Sequence, residues 1–343
     1  MKFDEALCLD DVLLVPQYSD IKSRKEVDLT SILDERLNIT LSLPIISSPM
    51  DTITESEMVR AMSIGGGLGI IHRYNTIEEQ IQIVKAIRRS YITSPIGAAI
   101  GVTKDYWERA GVLFESSVDI ICIDVAHGHH DSVEKAIKTI RDSYIGNKIH
   151  IMAGNVATPE AFIALEEWGA NSIRVGIGGG SICSTRLNTG HGVPNLTSLY
   201  NCVQVANKAK VILDGGIKNA GDIVKAIALG ADFVMVGSLL AGSFETPGNI
   251  IIKEDKSYKE YRGMASFQAR ESNDKNYSIE GISTLIPIKD SVGSILTNLE
   301  QNIKSGLSYS GARNIKELQQ NAKFVRQTSL GQRESDTHIL FRK

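Results

Sequence analysis

The chain has 343 residues, 22% of them charged, and a formal net charge of −3. That balance lacks the basic footprint of a nucleic-acid binder and gives no electrostatic reason to adhere to anionic membranes. No apolar run approaches the ~20 residues that span a bilayer, and Met1-Lys-Phe-Asp-Glu5 has no signal-peptide core, so a cytoplasmic location is expected.

Apolar, β-rich runs alternate with amphipathic stretches along the chain. Strands are expected over 43–47, 67–72, 96–101, 119–124, 148–154, 172–177, 211–215 and 233–237. Several are continuously apolar, as strands covered on both faces must be. Helices are expected over 78–89, 131–144, 159–168 and 221–229, with a last one over 291–305. Asp131-Ser-Val-Glu134 and Thr158-Pro-Glu160 carry helix-start chemistry. Strands alternating with seven helices and a final one read as an α/β, (β/α)8 barrel in a single domain over 1–343. A doubly wound open sheet is the alternative, but it would place a glycine fingerprint early in the chain. Segments 1–30 and 248–290 fall outside the barrel pattern, the second as a hairpin or lid, and the charged tail 326–343 is expected to be mobile.

In a barrel, residues ending each strand converge on one face. Those ends are Ser47-Ser-Pro-Met-Asp-Thr52, His72-Arg73, Asp124-Val-Ala-His-Gly128, Gly154-Asn155, Asp214-Gly-Gly216 and Gly237-Ser238. The glycines ending the last two strands, each expected to lead into a helix, stand where barrels commonly hold phosphate. After the sixth strand comes Gly176-Ile-Gly-Gly-Gly-Ser-Ile-Cys-Ser-Thr185, a glycine loop carrying a thiol among hydroxyls. Such a loop approaches a ligand closely through its backbone and places Cys183 better for chemistry than a strand would. The competing reading is a flexible surface loop with an incidental thiol. The other cysteines, Cys8, Cys122 and Cys202, lie in apolar runs and are expected as buried fillers. With no paired spacing, all four suit a reducing compartment.

Taken with Asp10-Asp-Val-Leu-Leu-Val-Pro16, Ala153-Gly-Asn-Val156, Tyr261-Arg-Gly-Met264 and Glu280-Gly281, these motifs resemble the IMP dehydrogenase and GMP reductase family over nearly the whole chain. The resemblance implies a purine-nucleotide barrel in which Cys183 attacks C2 of the base and hydride passes between C2 and a nicotinamide cofactor. It implies Thr185 and Glu280 as a proton-transfer pair, since a hydroxyl needs a carboxylate relay. By the same resemblance Ser181, Gly216, Gly237, Ser238 and Tyr261 hold the 5′-phosphate, and Asp214 accepts from the ribose. Ser48, Met50, Gly263 and Met264 line the base pocket, and Asp124, Asn155 and Arg174 face the nicotinamide. It further implies a homotetramer and a monovalent cation such as K+ on carbonyls of Gly178, Gly180 and Cys183, completed by a neighbour's terminal segment.

Which branch of the family applies turns on two deletions. Arg88-Arg-Ser-Tyr-Ile-Thr-Ser-Pro95 bridges helix two and strand three directly, leaving no room for the inserted regulatory repeats usual in dehydrogenases. Only residues 265–279 separate the Gly-Met and Glu-Gly motifs, too few for the long Arg-Tyr flap that activates water there, and Arg270 stands too near the strand exit to swing in. A short lid over 262–282 suffices for a reductase, which uses NADPH and expels ammonia. Tyr261-Arg-Gly-Met264 and Arg333-Glu-Ser-Asp-Thr-His338 point the other way, toward an NAD-dependent dehydrogenase. A nucleotide-binding protein without turnover is the third possibility.

Overall fold

In the computed structural model, residues 4–90, 92–103, 105–263 and 281–335 are described. Eight parallel strands close into a barrel: β1 Ile45–Ser47, β2 Leu68–Ile71, β3 Gly97–Ile100, β4 Ile120–Asp124, β5 His150–Val156, β6 Ser172–Val175, β7 Lys210–Asp214 and β8 Phe233–Val236. Each neighbour pairs in chain order, and β8 returns to β1 through Val234 opposite Ile45. The outer ring is α1 Ser56–Ile64, α2 Ile77–Arg88, α3 Tyr106–Glu115, α4 Asp131–Arg141, α5 Pro159–Trp168, α6 Asn195–Val203, α7 Ala220–Leu229 and α8 Val292–Tyr309. The expected (β/α)8 architecture is therefore the observed one.

The strands form because nearly every side chain on them finds an apolar neighbour. Outward residues meet the helices, while inward ones such as Ile70, Ala99, Cys122, Met152, Ile212 and Phe233 fill the barrel and are fully buried. Helix starts are chemically marked. Thr158 caps α5, its Oγ1 accepting from Ala161 N at 3.3 Å with Pro159 in the first turn. On α4 the cap is His130, whose Nδ1 accepts from Ser132 N at 3.2 Å, so Asp131 is the first helical residue and not the cap.

Four features depart from the sequence expectation. A hairpin, Ser31–Asp34 with Ile39–Leu41, adds Leu33, Ile39 and Leu41 to the cluster inside the barrel. It is latched there by polar groups: His150 Nδ1 lies 3.0 Å from Asp34 Oδ2, and Ser172 Oγ lies 2.8 Å from His150 Nε2. Arg36 donates to the carbonyls of Asn147 (2.9 Å) and Ile149 (3.1 Å). Second, β8 leads not into a helix but into a single turn, Leu240 N and Ala241 N both donating to Gly237 O at 3.0 Å. An antiparallel sheet of Ile251–Lys253, Lys256–Arg262 and Ser283–Pro287 follows before α8. Third, the part of the tail that is described forms a helix, Ser329–Glu334, and Phe324–Arg326 pairs with Val12–Leu14, while 336–343 lie outside the described residues. Fourth, Cys122 and Cys202 are buried as expected but Cys8 is only half-buried. Among the described residues no helix is long and apolar enough to cross a membrane.

Candidate active site

The carboxyl ends of the strands open into a cleft of roughly 1170 Å³, solvent mouth included. Every site residue expected from the sequence that falls within the described chain lines it. Met264 and Glu280 lie outside the described residues, so the structure leaves the base-edge and relay expectations for them where the sequence put them.

The cysteine loop is shaped by its glycines. Gly176 takes φ +144°, and a Cβ there would stand 2.2 Å from Asp214 O. A Cβ on Gly179 would stand 2.3 Å from Asn195 Oδ1, the side chain that holds Gly215 O through its Nδ2 at 2.7 Å. No other residue lets the loop lie this close to the end of β7. Cys183 is half-buried, its Sγ 3.2 Å from Thr185 Oγ1, so the expected nucleophile and hydroxyl are in contact. Gly180 and Cys183 close one turn, Cys183 N donating to Gly180 O at 3.1 Å, and Gly178 precedes it in the same loop. The terminal segment expected to complete a cation site there extends over 336–338, outside the described residues.

One wall is a buried charge network. Arg174, 6% exposed, reaches Asp124 Oδ1 from Nη1 at 2.6 Å and Asp214 Oδ2 from Nη2 at 2.8 Å and Nε at 3.0 Å. Burial opposes its charge, but Asp214 first, then Cys122 and Asp124, outweigh that and raise its pKa well above the ordinary value. Asn155 Nδ2 also donates to Asp214 Oδ2, at 2.9 Å, and to Gly176 O at 2.8 Å. All these bonds fall on one oxygen of Asp214, and Oδ1 carries none of them. Arg174 thus first positions two carboxylates. Arg73, noted in the sequence only as a polar strand end, lies over the Tyr74 ring (4.8 Å) and donates from Nε to Asp124 O at 3.2 Å. Neither Tyr74 nor Asn195 was singled out by sequence reasoning. Tyr74 is readable only from its place beside a strand end, and Asn195 only once the loop is folded over it.

At the opposite pole stand Ser181, Gly216, Gly237, Ser238 and Tyr261. Tyr261 Oη lies 3.4 Å from Ser181 Oγ, and burial pushes the phenol pKa up, keeping it a hydrogen-bonding hydroxyl. A Cβ on Gly237 would meet Tyr261 Oη at 3.2 Å and Met50 Sδ at 3.3 Å, tight contacts that would press on both side chains.

Between the two poles the feet of the lid are fixed. Gly263 N donates to Ile282 O at 2.9 Å, Ile282 N donates to Ile182 O at 3.2 Å, and Gly281 bridges Cys183. Arg262 is ion-paired with Asp51, and its N–H donates to Thr52 Oγ1 at 3.3 Å, tying the same foot to the loop after β1.

A closed (β/α)8 barrel with this polar constellation at the carboxyl ends of its strands defines an enzyme of the nucleotide-binding barrel class. Residues 6–338 match the IMP dehydrogenase / GMP reductase domain, and the chain belongs to that family of NAD(P)-dependent purine-nucleotide oxidoreductases. It is 32% identical to the inosine-5′-monophosphate dehydrogenase of Nitrosopumilus maritimus, over 98% of this chain and 99% of that protein. It is equally 32% identical to the GMP reductase of Leishmania major, over 97% of each. Among solved structures it resembles a cysteine-to-alanine variant of the GMP reductase of Trypanosoma brucei in complex with guanosine 5′-monophosphate, with 30% identity, a TM-score of 0.93 and 99% of both chains covered. The Leishmania alignment runs over 478 positions and the Nitrosopumilus one over 475, so both proteins hold residues this chain lacks. Extra length is therefore shared by a reductase and a dehydrogenase and does not separate the branches.

Proposed function

We propose that the protein is a GMP reductase, converting GMP and NADPH to IMP, ammonia and NADP+. The observation that carries this reading is the adjacency of the two residues that flank the lid segment. Gly263 N donates to Ile282 O, and Gly281 bridges Cys183 of the cysteine loop. What lies between is only residues 264–280, with no Arg-Tyr pair to activate water.

On this reading the Cys183 sulfur adds to C2 of GMP, the 2-amino group leaves as ammonia, and Thr185 with Glu280 supplies its proton. The dinucleotide, when bound, supplies the hydride that C2 accepts as the carbon–sulfur bond breaks and the thiolate is released. The chain's own residues do the rest. Asp214 offers its less engaged oxygen to the ribose, and Arg174 holds that carboxylate in place through its other oxygen. Ser181, Gly216, Gly237, Ser238 and Tyr261 hold the phosphate by hydroxyls and backbone. Asp124 and Asn155 line the same cleft beside Arg174 and Asp214, and on this reading they face the nicotinamide. The same reading includes a monovalent cation on the carbonyls of the cysteine turn.

The second reading, an IMP dehydrogenase oxidising IMP to XMP with NAD+, draws on Tyr261-Arg-Gly-Met264 and on relatives such as the 35% identical dehydrogenase of Borreliella burgdorferi. A paired assay separates the two. GMP with NADPH should lose nicotinamide absorbance, while IMP with NAD+ should gain none. Turnover of IMP alone overturns the reductase reading, and binding without turnover in either assay indicates the third possibility.

A further inference from the structure

The residues at the phosphate pole include no cation, yet a cation stands directly behind them. Lys289, in the connection from Ser283–Pro287 to α8, donates from Nζ to Ser238 O at 2.7 Å and to Leu239 O at 3.4 Å. Its ammonium is half-buried, and burial alone acts on its pKa, lowering it, because no carboxylate among the described residues lies near enough to offset the cost. The neighbouring basic residues differ. Lys218 is ion-paired with Asp10. Lys259, whose Nζ donates to Phe244 O (3.0 Å) and Thr246 O (2.6 Å), has Glu245 beside it. Arg186 is exposed, with its Nη2 on Val193 O, so solvent screens it.

A partly desolvated charge without a counter-charge is unfavourable in the free protein, and an arriving anion relieves it. The direction of the bond to Ser238 adds to this. In a planar trans peptide the carbonyl and N–H point opposite ways, so Ser238 O turned to Lys289 turns Leu239 N–H away from it. The lysine thereby polarises the peptide adjoining the glycine–serine wall of the cleft.

We propose that Lys289 is the counter-charge for the 5′-phosphate of the substrate, a positioning residue acting across the Ser238–Leu239 peptide. This rests on the nucleotide reading above. The test compares titration calorimetry of GMP, guanosine and inorganic phosphate on the wild type, on Lys289→Gln, which keeps a donor but no charge, and on Lys289→Arg, which keeps the charge. Lys289→Gln should weaken GMP and inorganic phosphate by about tenfold, a loss in line with removing one nearby charge, and leave guanosine unchanged. Lys289→Arg should retain most of the affinity. Equal weakening of GMP and guanosine, or unchanged phosphate binding, overturns the proposal. A measurement on the wild type does not depend on either variant folding. Acetylation of Lys289, read by peptide mass spectrometry, should slow with GMP bound but not with guanosine, and equal rates overturn the proposal. If the wild type binds phosphate but neither GMP nor IMP, the purine reading falls, while a Lys289→Gln loss on phosphate still upholds this one.

Discussion

Cys122 and Cys202 are enclosed by the core, and desolvation pushes both thiols up to about 12. Cys8 is also raised, first by its partial burial and then by its hydrogen bond with Asp11. Because only the thiolate reacts, these three should be sluggish toward alkylation at neutral pH. Iodoacetamide on the native protein should label Cys183 first, Cys8 slowly, and Cys122 and Cys202 not at all, as peptide mass spectrometry would show. GMP should protect Cys183, and labelling of Cys122 at a comparable rate would contradict the packing described. The second residue-scale expectation concerns Arg174, whose removal strands Asp214 without a cation and leaves Asp124 only Arg73, 3.7 Å away. Breaking a buried ion pair from one side typically costs ~3–5 kcal/mol, so Arg174→Met should lower urea-unfolding stability by about that amount. A loss below about 1 kcal/mol would mean that solvent, not Arg174, carries those charges.

The elements differ in how openly the sequence announces them. The barrel strands are legible because burial on both faces makes them short, continuous apolar runs, such as Ile120-Ile-Cys-Ile-Asp124. Hairpin 31–41 was not legible. Its inward residues Leu33, Ile39 and Leu41 are satisfied by side chains far along the chain, while Ile32, next to Leu33, faces solvent. The missing helix after β8 has a related cause: the turn on Gly237 O closes locally, but the chain beyond it is taken up by the distant segment, Lys289 N donating to Gly242 O at 2.8 Å. In the cysteine loop the sequence showed where glycines sit but not which ones the fold requires. Gly179→Ala places a methyl group against Asn195, which cannot retreat without releasing Gly215 O, so kcat/KM should fall by at least about tenfold through a displaced Cys183. Gly190→Ala meets no atom within 4 Å and bears only the strain of φ +72°, so it should cost ~1 kcal/mol in stability and little activity. Equal catalytic loss in both variants would show that general flexibility matters there, not close approach.

At the scale of the molecule, the barrel is stoppered at its amino end by a hairpin held through a buried imidazole. Burial depresses the His150 pKa below its ordinary value, so the native state keeps it neutral while an unfolded chain takes up a proton near pH 6.5. Stability from this latch is therefore full above that pH and declines as pH falls below it, by up to ~1.4 kcal/mol per unit. Burial also opposes the charge of Asp34, but hydrogen bonds from His150 and Arg36 outweigh it and hold the carboxyl below the usual range. That contribution is intact above about pH 4 and disappears only in stronger acid. The urea midpoint should thus fall between pH 7 and pH 5, and His150→Gln should flatten that slope while starting from a lower midpoint. An unchanged slope would place the acid sensitivity elsewhere. Fold, family and the meeting of Cys183 with Thr185 were within reach of the sequence. The direction of the reaction was not, because one family model covers both activities and the chain is equally identical to a dehydrogenase and to a reductase.

The feet at Gly263 and Gly281 share one doorway, and this has an evolutionary consequence. Where a chain exits and returns at adjacent points, the ends are already closed, and each doubling of the excursion costs only ~0.6 kcal/mol. The barrel therefore hardly registers how long the insert is or what it contains. A flap spliced between these two glycines should leave the melting temperature within a few degrees, while, on the reading proposed above, changing whether water or hydride meets the sulfur-bound purine. The reaction would then be specified by an interchangeable cassette, and a lineage could move between oxidising and reducing purines without altering its core.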